Sequence, residues 1–101
     1  MWVLAMFDLP VDTKSARRAY TRFRRKLLDD GFMMLQLSVY ARPCPNDENA
    51  AIHAKRVKDA LPGAGQVRIL RLTDMQFSRM QVFYSAKPVG AEKPPQQLSL
   101  F

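Results

Sequence analysis

Histidine and cysteine are almost missing from this chain of 101 residues, which has one of each, His53 and Cys44. A lone cysteine cannot close an intrachain disulfide, which fits a cytoplasmic protein. One cysteine and one histidine also fall short of a structural zinc site, and no helix-turn-helix pattern is visible, so a regulator that reads DNA sequence is disfavoured. Long apolar runs are absent too, the longest stopping far short of the roughly 18–20 residues that a bilayer span needs. No membrane partner is therefore expected. Nor is a signal peptide, because Met1 leads directly into a strand that Asp8 interrupts. No internal repeat is visible, and the length allows one domain with a modest core. The last shortage is of acids, 9 against 16 Lys and Arg, which leaves a net charge of +7. Such a balance favours an anionic partner, and clustering decides whether it does more than keep the chain soluble.

The chain opens on a strand, Trp2 to Asp8. Its alternate faces carry Trp2, Leu4, Met6, Asp8 and Val3, Ala5, Phe7. Both are apolar, so both should be covered. A helix is expected from about Thr13 to Asp30, capped by Asp12 or Thr13. Ala16, Tyr20, Phe23 and Leu27 form its sheet-facing stripe. Around that stripe stand Lys14, Arg17, Arg18, Arg22, Arg24, Arg25 and Lys26, with no acid before Asp29. A solvated face is the plain alternative, but unrelieved like charge favours anion binding, and arginine's planar fork suits phosphate oxygens. Gly31 should end the helix.

Phe32 to Arg42 reads as two short strands around a break near Gln36 to Ser38, stopped by Pro43-Cys44-Pro45. Cys44 has no local activating partner and reads as a bystander. A second helix is expected from Asn46 to Leu61, with Ala50, Ala54, Val57 and Leu61 facing inward, Ile52 outward and His53 an ordinary surface histidine. Pro62-Gly63 breaks it, and Gln66 to Thr73 is a clear strand. Thr73 could cap a short helical turn over Asp74 to Arg79, followed by a strand at Met80 to Tyr84. Residues 1–85 form the folded domain. Residues 86–96 have linker composition, and Gln97-Leu98-Ser99-Leu100-Phe101 follows as a strand or docking peptide. The order strand, helix, strand, strand, helix, strand predicts an α+β fold, the ferredoxin-like βαββαβ sandwich with a four-stranded antiparallel sheet. Two helices cover only one sheet face. The face bearing Trp2, Leu4 and Met6 is therefore expected to meet a second copy in a homodimer.

The strand ending in Asp8 resembles the CRISPR-associated protein two family, the small partner of the spacer integrase. So do Leu28-Asp29-Asp30-Gly31-Phe32, the run Leu35-Gln36-Leu37-Ser38-Val39-Tyr40 with Arg42 after it, and Leu72-Thr73-Asp74-Met75-Gln76-Phe77. The likeness covers essentially the whole chain. Phe7 before Asp8, and Tyr40 where Phe is common, are small departures. The resemblance implies a ferredoxin-like homodimer that bridges two dimers of the CRISPR integrase subunit and helps hold a DNA fragment before insertion. It also implies a magnesium-dependent endonuclease on RNA or DNA, in which Asp8 of each protomer holds Mg2+.

Two functions follow. A scaffold needs a dimer and a basic surface tracking the phosphates of duplex DNA or RNA, for which Lys14, Arg17, Arg18, Arg22, Arg25 and Arg42 are the candidates. A metal-dependent phosphodiesterase would use Asp8, with Ser38 as its neighbour, but one acid per protomer is poor in parts. Asp8 could instead be a turn residue satisfying backbone donors before Leu9-Pro10. For the last five residues, Leu98 and Leu100 alternate as an edge strand does, which suits strand addition to another protomer or to the integrase. QLSLF also resembles the peptide by which bacterial replication and repair proteins dock on the sliding clamp. In that setting Gln97 makes polar contacts and Leu98, Leu100 and Phe101 fill apolar pockets.

Overall fold

The computed structural model describes residues 1–95. The first strand, β1 (Trp2–Asp8), is followed by α1 (Lys14–Asp29), β2 (Met33–Gln36), β3 (Val39–Pro43), α2 (Asp47–Asp59) and β4 (Gln66–Leu72). These build one four-stranded sheet in the order β2-β3-β1-β4, all pairs antiparallel. This is the ferredoxin-like arrangement, with β1 inside and β2 and β4 at the edges.

The expected helix signals are the ones in use. Thr13 caps α1 by accepting from the Ala16 amide, and Asn46 caps α2 by accepting from the Asn49 amide. Gly31 follows the last turn of α1 at φ 88°, the left-handed conformation that glycine adopts without strain. The break between β2 and β3 is a bulge between Met34 and Gln36 followed by a turn in which Ser38 takes φ 63°.

Val3, Ala5 and Phe7 on one face of β1 pack under the helices with Phe23, Leu27, Tyr40, Ala50 and Val57. Phe7 meets Phe23 edge-on at 5.2 Å between ring centroids and lies at 5.6 Å from Tyr40, spacings typical of aromatic pairs in a core. In α2 the expected inner face is changed at two positions. Leu61 lies past the helix end and is exposed, while His53 is buried, its Nδ1 2.7 Å from Oδ2 of Asp30. The helical periodicity is compatible with either arrangement; the partner that draws His53 inward sits 23 residues away.

The largest difference from the sequence expectation is on the other face. It is not left wholly open for a second copy: Trp2 and Leu4 are buried by the chain's own later residues. After β4 comes α3 (Asp74–Ser78), closed by a capping box between Thr73 and Gln76. Its Phe77 stacks on Trp2 at 3.9 Å with the rings 5° from parallel, and Leu72, Met80 and Ala91 pack around the pair. The strand expected at Met80 to Tyr84 is the shorter β5 (Val82–Tyr84). It pairs with β6 (Lys87–Val89) as a separate two-stranded hairpin. The hairpin straddles the expected domain boundary at residue 85, so the segment read as linker begins as a strand. Gln97, Leu98, Leu100 and Phe101 lie outside the described residues. No described helix is long and apolar enough to cross a membrane.

Candidate nucleic-acid interface and the Asp8 edge

Because α1 buries Phe23 and Leu27 against the sheet, its opposite side faces outward. Lys14, Arg17, Arg18, Arg22 and Arg25 recur at three, one, four and three residues, which places them in one stripe along that side. With Thr21 they line a single shallow hollow. Lys14 to Arg25 spans about 16 Å of helix at 1.5 Å per residue, the rise of roughly five base pairs of duplex at 3.4 Å each. Among the described residues no ion pair engages any of these five side chains. Arg17 alone among them makes a side-chain hydrogen bond, from Nη1 to the Val11 carbonyl at 3.0 Å. Five cations with no carboxylate partner form a surface that attracts phosphate.

Two arginines of the basic run do other work. Arg24 donates from Nε to the Tyr40 hydroxyl at 2.7 Å, tying the helix flank to β3. Arg42, expected to contact nucleic acid, stands on the helix side of β3. Its Nε donates to the Asp30 carbonyl at 2.7 Å and its Nη1 to the Pro43 carbonyl at 3.0 Å. It therefore closes the end of α1 and is not part of the outward stripe. The same corner holds Asp30, whose carboxylate accepts from His53 and from Nη1 of Arg56, both at 2.7 Å. Burial works to raise the Asp30 pKa, but the hydrogen bonds and charges of His53 and Arg56 outweigh it and hold the carboxyl below its ordinary value. This clasp between α1, β3 and α2 is not legible in the sequence, where Asp29-Asp30 reads as a helix end.

Asp8 is exposed at the end of β1 on the face of Trp2, Leu4 and Met6, opposite Gln66 of β4. It is held there by two features. The Phe7 amide donates to the Ser38 carbonyl at 3.0 Å, drawing the β2–β3 turn against the end of β1. Gly65, at φ 91°, packs so close that an added Cβ would lie 2.7 Å from the Asp8 carbonyl oxygen. The turn carrying Ser38 thus lies at the same sheet edge as Asp8. His53 is remote, committed to the Asp30 clasp. Among the described residues no three His, Cys, Asp or Glu side chains form a group able to hold a metal. Mg2+ commonly takes one or two carboxylates and completes its octahedron with water and substrate phosphate. Asp8 fits as one such ligand, with water and substrate phosphate left to complete the shell.

On the second sheet face, past Met6, a largely apolar trough opens, lined by Met6, Leu35, Val39, Val82 and Phe83 together with the polar Gln36 and Glu92. Phe83, Tyr84 and Leu70 are exposed nearby. Monomers rarely leave such a patch uncovered.

The fold and these surfaces define a small ferredoxin-like module with one basic helical face and an exposed carboxylate, Asp8, on the largely apolar sheet face opposite it. The sequence matches, over residues 1–80, the model of the family described as CRISPR associated protein Cas2, and the chain belongs to that family. It is 52% identical over 101 residues to a protein of Parvibaculum lavamentivorans called CRISPR-associated endoribonuclease Cas2, covering both chains completely. A protein of the same name from Flavobacterium psychrophilum is 48% identical over 101 residues, which is all of this chain and 88% of that one. The crystal structure of Streptococcus pyogenes Cas2 at pH 6.5 shares the fold with a TM-score of 0.60 at 20% identity, over 83% of this chain and all of that one.

Proposed function

We propose that this chain is a nucleic-acid-holding subunit of CRISPR spacer acquisition, acting as a homodimer that bridges dimers of the integrase subunit and grips duplex DNA by its phosphates. The observation that carries this reading is the outward stripe of Lys14, Arg17, Arg18, Arg22 and Arg25, cations with no carboxylate partner among the described residues. No described element offers base-reading geometry, so affinity comes from charge and duplex shape. The apolar trough beside Met6 and Phe83 gives a second copy a surface to cover, and the stripe lies on the opposite side of the sheet, accessible in such a dimer.

A second reading is supported by the name that the relatives carry, CRISPR-associated endoribonuclease, together with the exposure of Asp8. Two Asp8 carboxylates, one from each protomer, would hold Mg2+, which when bound supplies charge for water activation and leaving-oxygen stabilisation. Asp8→Asn separates the readings, since the amide keeps the shape and loses the charge that holds the metal. The scaffold reading predicts that this variant still dimerises, binds duplex and supports spacer acquisition with wild-type integrase, whatever happens to RNA or DNA cleavage. Loss of acquisition by a folded Asp8→Asn dimer would overturn it in favour of metal chemistry.

A further inference from the structure

The sheet face that α1 and α2 leave uncovered carries almost no charge. By the cross-strand register, the four strands place one acid on it, Asp8, and one cation, Arg68. The other two arginines of these strands turn to the helix side, Arg42 to the end of α1 and Arg71, level with Val3, to Asp47 of α2 at 3.3 Å. Asp8 pairs with Gln66, and Met6 with Arg68. Arg68 is therefore the diagonal neighbour of Asp8, a placement that sets residues about 7–8 Å apart. Both side chains are exposed, and among the described residues neither enters an ion pair.

A phosphodiester is the ligand that uses both. One of its two non-bridging oxygens can complete the shell of a metal ion held by Asp8, which leaves the other to a donor on the protein. A guanidinium supplies parallel N–H groups for it, and no other strand residue on this face offers a positive charge. Arg68 also stands at the margin of the trough rather than inside it. The trough spreads from β1 toward β3, β2 and the hairpin, whereas β4 flanks β1 on the other side. A cation on an edge strand has a plainer use, deterring pairing with another sheet, and that use needs no phosphate.

We propose that Arg68 is a phosphate-binding residue of the Asp8 site, holding the phosphodiester of a nucleic-acid strand on this face. The proposal rests on the metal-dependent reading of Asp8, and its test keeps the two apart. Binding of a single-stranded oligouridylate is measured in EDTA on the full chain carrying Arg18→Glu/Arg22→Glu, so that the helix stripe contributes least. Adding Arg68→Gln should weaken binding about tenfold and make the log-log salt slope shallower by about 0.7, the value for one phosphate of a single strand. Arg68→Lys should recover part of the loss, and Arg71→Gln, on the other face, should bind as its parent does. With the stripe intact and Mg2+ added, Arg68→Gln should raise KM for RNA cleavage, while the Mg2+ concentration giving half-maximal rate stays that of wild type because Asp8 is untouched. A wild type that binds RNA but does not cleave it would remove the metal reading alone, since the metal-free measurement still decides the role of Arg68. Unchanged affinity and slope in folded Arg68→Gln would overturn the proposal and leave Arg68 as protection for an edge strand. An equal loss from Arg71→Gln would overturn it as well, showing a response to net charge and not to position.

Discussion

Asp30 joins three elements by itself, because its carboxylate and its carbonyl together engage His53, Arg56 and Arg42. Its pKa is depressed in the folded chain, so its contribution to stability is complete above the unfolded carboxylate value of about 4 and disappears as pH falls through the folded value. Asp30→Asn should cost about 1–3 kcal/mol at neutral pH, the range for a buried charged hydrogen-bond partner. Its stability should also fall less steeply than that of wild type below about pH 4. Urea titrations across that range check both expectations. A second residue-scale prediction concerns the hairpin turn, where Ser85 and Ala86 both take positive φ, at 49° and 65°. Two-residue hairpin loops want this conformation, and glycine supplies it without steric cost. Ala86→Gly should therefore raise stability by about 0.5–1 kcal/mol, seen as a higher thermal midpoint.

That turn also explains where the sequence stops being readable at the scale of elements. The first four strands and two long helices are legible because caps, glycine stops and apolar periodicity all agree. The hairpin of β5 and β6 is not, since Ser85-Ala86 lacks the Asn-Gly or Asp-Gly signature that marks such a turn, and Lys87-Pro88 has linker chemistry. The cover over Trp2 is hidden for a related reason. Thr73 announces α3, but nothing local says that Phe77 will stack on a residue 75 positions earlier. Of the expected site residues, the α1 stripe and the Asp8–Ser38 edge are visible from spacing and strand ends, whereas the structural duties of Arg42 and Arg24 depend on tertiary partners. Gly65 carries no local signal of its role; only the close approach to the Asp8 carbonyl shows why that position excludes a side chain.

For the whole molecule, the two sheet faces differ: α1 and α2 with the basic outer stripe cover one side, and α3, Asp8 and the largely apolar trough lie on the other. The trough predicts that the protein is a dimer at micromolar concentration in sedimentation equilibrium. Phe83, 56% exposed, should be replaceable by glutamate with loss of the dimer and little loss of folding, since it contributes little to the chain's own core. A wild-type monomer under those conditions would remove the shared-Asp8 reading and the bridging scaffold together. The central claim, that α1 grips phosphates, is tested most directly by duplex affinity measured against salt concentration for wild type and for Arg18→Glu/Arg22→Glu. The log-log slope should become shallower by about two units, one for each phosphate that the variant no longer neutralises, with affinity reduced for every duplex sequence alike. An unchanged slope and affinity in the folded variant would contradict it, leaving the stripe a solvated surface.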